Sequence, residues 1–88
     1  MAWRIEFYPD AFREFSKLDR ETQRRILKFL KERIAPSDNP QSFGKALGSD
    51  KKGLWRYRVG DYRIICSLKE ETFLVLIVKV GHRRIVYD

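Results

Sequence analysis

Apolar and polar positions change period along the chain, and each change marks a predicted element. Residues 2–8, AWRIEFY, mix aromatic and alternating apolar side chains in the manner of a short strand, which Pro9 and Asp10 close. Ala11, Phe12, Phe15 and Leu18 then recur at helical spacing. Asp19 and Thr22 open a second helix, RETQRRILKFLKERIA, with Ile26, Phe29, Leu30 and Ile34 as its apolar stripe and Pro36, Asn39 and Pro40 as its stop. Residues 36–53 read as a polar, glycine-rich loop with a short apolar anchor at Phe43, Ala46 and Leu47. Beyond it LWRYRV, YRIICSL, TFLVLIVKV and RRIVYD follow one another as strands. The order predicts one α+β domain over residues 1–88: an N-terminal strand, two helices, then a three- to four-stranded antiparallel meander with both helices packed on one sheet face.

Gly60 and Asp61 lie between two of these strands and signal a two-residue hairpin, which fixes the register. Val59 then faces Tyr62, Arg58 faces Arg63, and Arg56 faces Ile65. Directly opposed residues share a face, so the hairpin sorts into two sets. Trp55, Tyr57, Val59, Tyr62, Ile64 and Cys66 form an apolar side suited to packing under the helices, with Cys66 as a small buried hydrophobe rather than a nucleophile. Leu54, Arg56, Arg58, Arg63, Ile65 and Ser67 form the other side, which holds three guanidinium groups and no acid. Opposed like charges do not stabilise a sheet, so these arginines either pair with acids elsewhere, such as Glu6 or Asp88, or are kept for an anion. A planar fork of donors that never loses its charge suits phosphate.

Charge supports the anion. The chain carries 19 Lys and Arg against 12 Asp and Glu, a net charge of +7. Residues 1–40 hold nine basic and seven acidic side chains, whereas 41–88 hold ten and five, so the excess sits in the second half. Such a field favours nucleic acid or an acidic protein partner. On the second helix Arg24, Arg25, Lys28, Lys31 and Arg33 lie mostly off the apolar stripe and read as a solvated face, with help in docking RNA as the alternative and no part in the chemistry. Lys45, Lys51 and Lys52 belong to the 36–53 loop, which lacks the G-x-x-x-x-G-K-[ST] spacing of a phosphate loop and is expected to contact RNA only as a flexible basic segment. One cysteine and one histidine provide neither an internal disulfide nor a metal cluster, and no apolar run approaches the roughly 20 residues of a membrane span. A cytoplasmic protein without cofactor is expected.

The last eight residues, GHRRIVYD, add His82, Arg83, Arg84 and Tyr87 as candidates to reach the arginine concavity. His82 is either a hydrogen-bonded turn residue or an acid or base near neutrality, and Tyr87 either packs or reacts.

These residues carry a resemblance over essentially the whole chain. The LWRYRVGDYRIICSL hairpin, the VGHR turn and the closing Val-Tyr resemble the RelE family of the RelE/ParE toxin superfamily. The resemblance implies a type II toxin, a metal-independent endoribonuclease that enters the ribosomal (30S) A site and cuts mRNA there by attack of the 2′-OH on the adjacent phosphate. It also implies a cognate antitoxin that blocks the site, and operator DNA reached by the toxin–antitoxin complex through that antitoxin. It implies an active surface at Arg56, Arg58, Arg63, Arg83 and Tyr87; beside it, the residues themselves offer His82 as a competitor for the acid or base role and Lys45, Lys51, Lys52 and Arg84 as further RNA contacts. Lysines are usual in the family at the positions of Arg56 and Arg58, and arginine is a poor proton shuttle, so these two are expected to act through charge alone. ParE-like relatives, which act by binding DNA gyrase without cutting RNA, are the second possibility.

Overall fold

A computed structural model describes residues 2–48 and 53–84 of the 88. Strand β1, Arg4–Phe7, leads into helix α1, Pro9–Ser16, which starts where Pro9 can occupy the first turn without a missing bond. Helix α2, Arg20–Phe29, begins after Asp19 and continues through a wider π-turn, Leu30–Ile34, closed by the Ala35 amide donating to the Leu30 carbonyl at 2.8 Å. Strands β2 (Lys45–Ala46), β3 (Leu54–Val59), β4 (Tyr62–Lys69) and β5 (Leu74–His82) follow. Among the described residues no helix is long and apolar enough to cross a membrane.

The sheet order is β1-β5-β4-β3-β2. The antiparallel meander β3-β4-β5 is as the sequence predicts. β1 differs: it adds to the outer side of β5 in parallel, Ile5 beside Val75 and Phe7 beside Ile77, so the five-stranded sheet is mixed. The physical reason is the helical crossover. Parallel partners need a long connection, and the chain from α1 to β4 provides it. Beyond the end of β1 the edge of β5 is closed by α1: Glu14 accepts from the Val80 amide at 2.9 Å and from the Lys79 ammonium at 3.2 Å.

Both helices pack on one sheet face. Ala11 and Phe15 of α1, and Ile26, Leu30 and Ile34 of α2 and its π-turn, meet Tyr57, Ile64, Cys66, Val75, Ile77 and Val80 in a single core, against which Trp55, Val59 and Tyr62 also rest. The periodicity of the second helix and the apolar side of the hairpin therefore meet as the pattern requires. The loop is less loose than its composition suggests. Pro40–Phe43 forms a 3-10 turn, and the fully buried Tyr57 hydroxyl donates to the Pro40 carbonyl at 2.8 Å. Lys45–Ala46 then pairs with β3. Gly44 permits this approach, since a Cβ there would stand 2.4 Å from the Arg56 carbonyl oxygen.

Candidate functional site

The β3-β4 hairpin has the register the sequence implies: Val59 opposite Tyr62, Arg58 opposite Arg63, Arg56 opposite Ile65. Gly60 at φ +60° makes the turn, and Asp61 stays at negative φ, the pattern of a II′ turn that matches strand twist. Arg56, Arg58 and Arg63 consequently share the face that carries no helix.

Their environments differ. Arg56 and Arg63 are only 6% and 8% exposed, whereas Arg58 is open to solvent. All three are engaged with neighbouring groups. Glu6, one acid the sequence offers as their counterion, lies on β1 with β5 between it and β4, and it sits 3.9 Å from Arg4. Asp88, the other, is outside the described residues.

A fourth cation joins them. Lys45 pairs directly with Arg56 across β2 and β3, so its side chain belongs to the same face. Ser42, Phe43, Gly44 and Lys45 form one wall, and Arg56 and Arg58 the other, of a concavity of about 280 Å³. Composition predicts a flexible loop at Lys45 and does not show this wall. The available signal was Gly44, a residue without side chain between Phe43 and Lys45, where a second backbone passes close.

At the mouth of the hairpin the β4-β5 ladder extends one step past His82, the Arg83 amide donating to the Asp61 carbonyl at 2.7 Å. Gly81 is opposite Arg63, and Arg83 follows two residues later, the period of one face. The Arg83 Nε stands 3.9 Å from the Asp61 carboxylate, and both side chains are more than half exposed. Asp61, which the sequence marks as a turn residue, is thus also a partner of Arg83.

His82 lies elsewhere. It is the last residue of β5 rather than a turn residue, pairs opposite Tyr62, and meets that ring edge to face at 5.5 Å. Tyr62 belongs to the core side, so His82 stands across the sheet from the arginines. Its Nδ1 accepts the Arg84 amide at 3.1 Å, which leaves the proton of a neutral ring on Nε2. Arg84 itself is exposed in the turn after β5. Tyr87, Lys51 and Lys52 are outside the described residues, as are residues 85–88 of the expected last strand. Cys66 is fully buried on the core side, where burial pushes its thiol up to about 12 and away from nucleophilic use.

Comparisons with known proteins agree with this fold. The family model described as "ParE toxin of type II toxin-antitoxin system, parDE" matches residues 5–87. Among solved structures, the RelBE2 toxin–antitoxin complex of Mycobacterium tuberculosis is similar at 25% identity and a TM-score of 0.85, covering 94% of this chain and 100% of that one. The isolated Escherichia coli RelE toxin has 22% identity, a TM-score of 0.75 and coverage of 92% and 84%. The archaeal RelE–RelB complex of Pyrococcus horikoshii has 24% identity, a TM-score of 0.66 and coverage of 94% and 97%. No curated protein matches the sequence at a significant level. With its α+β fold of two helices on a five-stranded sheet, and a family match over nearly its full length, the chain belongs to the RelE/ParE superfamily of type II toxin–antitoxin toxins.

Proposed function

We propose that the protein is a ribosome-dependent endoribonuclease that cuts mRNA in the A site and is held inactive by a cognate antitoxin. The observation that carries this reading is the gathering of Arg56, Arg58, Arg63 and Lys45 on the helix-free sheet face, with Arg56, Arg58 and Lys45 lining one concavity and Arg63 opposite Arg58.

RNA supplies the nucleophile. The 2′-OH attacks the adjacent phosphorus, the P–O5′ bond breaks, and the products are a 2′,3′-cyclic phosphate and a 5′-hydroxyl. The 2′ proton goes to a base on the protein, and the leaving 5′ oxygen takes a proton in return. Nothing in these steps calls for a cofactor. The protein's largest contribution is to oppose the charge that grows on the phosphorane, which fixed guanidinium groups in a partly buried site do well. Arg56 and Arg63 are held by burial and Arg58 and Lys45 reach outward, so an incoming phosphate exchanges with the groups that now engage the arginines.

Arg83, at the end of the same strand pair, is assigned to the leaving oxygen, with Arg84 and the loop lysines Lys51 and Lys52 as outer contacts. Tyr87 is assigned as base or orienter, because a phenol brought beside several guanidiniums would have its anion favoured. The position of His82 across the sheet, with Nδ1 already bonded, weighs against it as the base. Action would be in the cytoplasm, and operator DNA would be reached through the antitoxin.

Primer extension on an mRNA held in a translating ribosome tests the reading, with the protein compared to Arg83→Ala and Tyr87→Phe. Breaks at the A-site codon that disappear in the variants are expected. The ParE description of the family model keeps gyrase inhibition as the second reading. Intact mRNA together with blocked supercoiling would select it.

A further inference from the structure

On the helical side, the exposed face of α2 and the end of the hairpin enclose a second groove of about 350 Å³, formed by Arg25, Lys28, Phe29, Glu32, Arg33 and Val59. The sequence alone assigns these cations to a solvated helix face, but two observations distinguish them. First, several exposed cations elsewhere stand beside acids, as Arg4 with Glu6, Arg13 with Asp10, Arg24 with Glu21, Lys79 with Glu14 and Arg83 with Asp61, and others such as Lys17, Arg20 and Lys69 stand apart from one another, whereas here three cations line one groove. Arg25, Lys28 and Arg33 make no ion pair among the described residues, although Glu32 is within the same groove. Arg25 and Lys28 repel at i,i+3, and Glu32 at i+4 from Lys28 counters one of the three cations, so the groove keeps a positive balance that an anion would meet.

Second, the floor is aromatic. Phe29 is half-buried there and braced edge to face against Tyr57 at 5.6 Å, with Val59 beside it. Arg25 is laid against the hairpin turn, its guanidinium 3.0 Å from where a Cβ on Gly60 would stand, so it closes one end of the groove. From Arg25 to Arg33 the helix rises by about 12 Å, long enough for more than one phosphate.

We infer that this groove is a second RNA-binding site, which holds single-stranded RNA with phosphates on Arg25, Lys28 and Arg33 and a base or ribose against Phe29 and Val59. Positive walls with a stacking floor are what a sequence-tolerant single-strand site requires. A purely acidic peptide, without apolar side chains, would meet the cations but make no use of the ring. The groove lies across the sheet from the arginine face, so the molecule carries polyanion-binding surfaces on both sides. The inference concerns different residues from the proposed cleavage site and is tested without cleavage.

The experiment is an ¹⁵N–¹H NMR titration with a 2′-O-methyl RNA hexamer, which has no free nucleophile. Two groups of amides are expected to shift, one around Arg56 and Arg58 and one covering Arg25, Lys28, Phe29, Arg33 and Val59. In the variant Arg25→Gln/Lys28→Gln/Arg33→Gln only the first should persist, with affinity at the α2 groove reduced more than tenfold. Its log–log salt slope should fall by about 2, near 0.7 for each of three contacts. Circular dichroism confirms folding, since all three positions are exposed. Shifts confined to the arginine face in the parent protein overturn the site, as do α2 shifts that survive the substitutions. A hexaglutamate peptide that shifts the α2 amides as strongly as the RNA also overturns it, in favour of a protein ligand. If the α2 group shifts and the arginine group does not, this inference stands and the proposed cleavage site falls.

Discussion

Raising the pH from 9 to 11 should destabilise the fold by an amount set largely by one buried thiol. Cys66 has no exposed surface, and burial raises its pKa from an ordinary 9.0 to about 12, partly offset by a hydrogen bond with Tyr57. Burial, and then the neighbouring Cys66, raise the Tyr57 phenol above its ordinary 10.0 as well. Both groups keep their protons in the folded state at pH values where the unfolded chain loses them. The folded state therefore binds more protons, and stability falls as pH rises. The contribution is fully present below pH 9 and declines towards the folded-state values.

For Cys66, a full unit of pH between those limits is worth about 1.4 kcal/mol. Integrated from pH 9 to 11 the thiol accounts for about 2 kcal/mol and Tyr57 for about 1, within a total stability on the order of 5–15 kcal/mol. Urea unfolding followed by tryptophan fluorescence at half-unit pH steps measures this. Cys66→Ala shifts the whole curve by its packing cost but should also flatten it by about 2 kcal/mol across the interval. Parallel curves for the parent and Cys66→Ala would refute the argument, because they would mean that the thiol ionises equally in both states.

Other substitutions test the framework of the site. Tyr57→Phe leaves the Pro40 carbonyl without its buried donor and should cost about 1–3 kcal/mol, with a calorimetric Tm lower by several degrees. Gly44→Ala pushes a Cβ to 2.4 Å from the Arg56 carbonyl, so β2 must part from β3. We expect a loss on the order of 1–3 kcal/mol in urea titration and weaker RNA binding in the same variant. Lys45→Gln should leave the fold intact and lower the log–log salt slope of RNA binding by about 0.7, read by fluorescence anisotropy. Glu14→Ala removes the acceptor of the Val80 amide and the partner of Lys79, at a cost of about 1–2 kcal/mol in thermal unfolding.

Much of this fold is legible from local pattern because each pattern has one dominant cause. The stripe Ile26, Leu30, Ile34 can be buried only as a helix, and Gly60-Asp61 admits one tight register, so the sharing of a face by Arg56, Arg58 and Arg63 follows before any coordinates. The position of β1 is not legible in this way. Its pairing with β5 depends on where two helices carry the chain across the sheet, a long-range consequence of the crossover rather than of the residues 4–7 themselves. The capture of Lys45 is similar. Its short strand is held by a bond from Tyr57 to Pro40 and by the missing side chain of Gly44, contacts between segments that are distant in sequence.

His82 shows the limit of period-2 reasoning most sharply. Val75 and Ile77 face the core, and simple alternation would continue that face through Lys79, Gly81 and Arg83, leaving Val80 and His82 with the arginines. The pairing instead jumps between Ile65–Lys79 and Cys66–Ile77, so Val78 is an extra residue on β5. That bulge reverses the alternation for the rest of the strand: Val80 becomes 2% exposed in the core and His82 moves against Tyr62. It also returns Gly81 to the face of Arg63 and carries Arg83 to the hairpin mouth beside Asp61. The run LVLIV is apolar at every position, so nothing in its pattern marks where the slip occurs. The charged and apolar residues after it do. Lys79 would be buried and Val80 exposed without the bulge, and the cost of burying that ammonium group favours the slip. The same one-residue insertion therefore completes the core and decides which of the C-terminal candidates can share a face with Arg63.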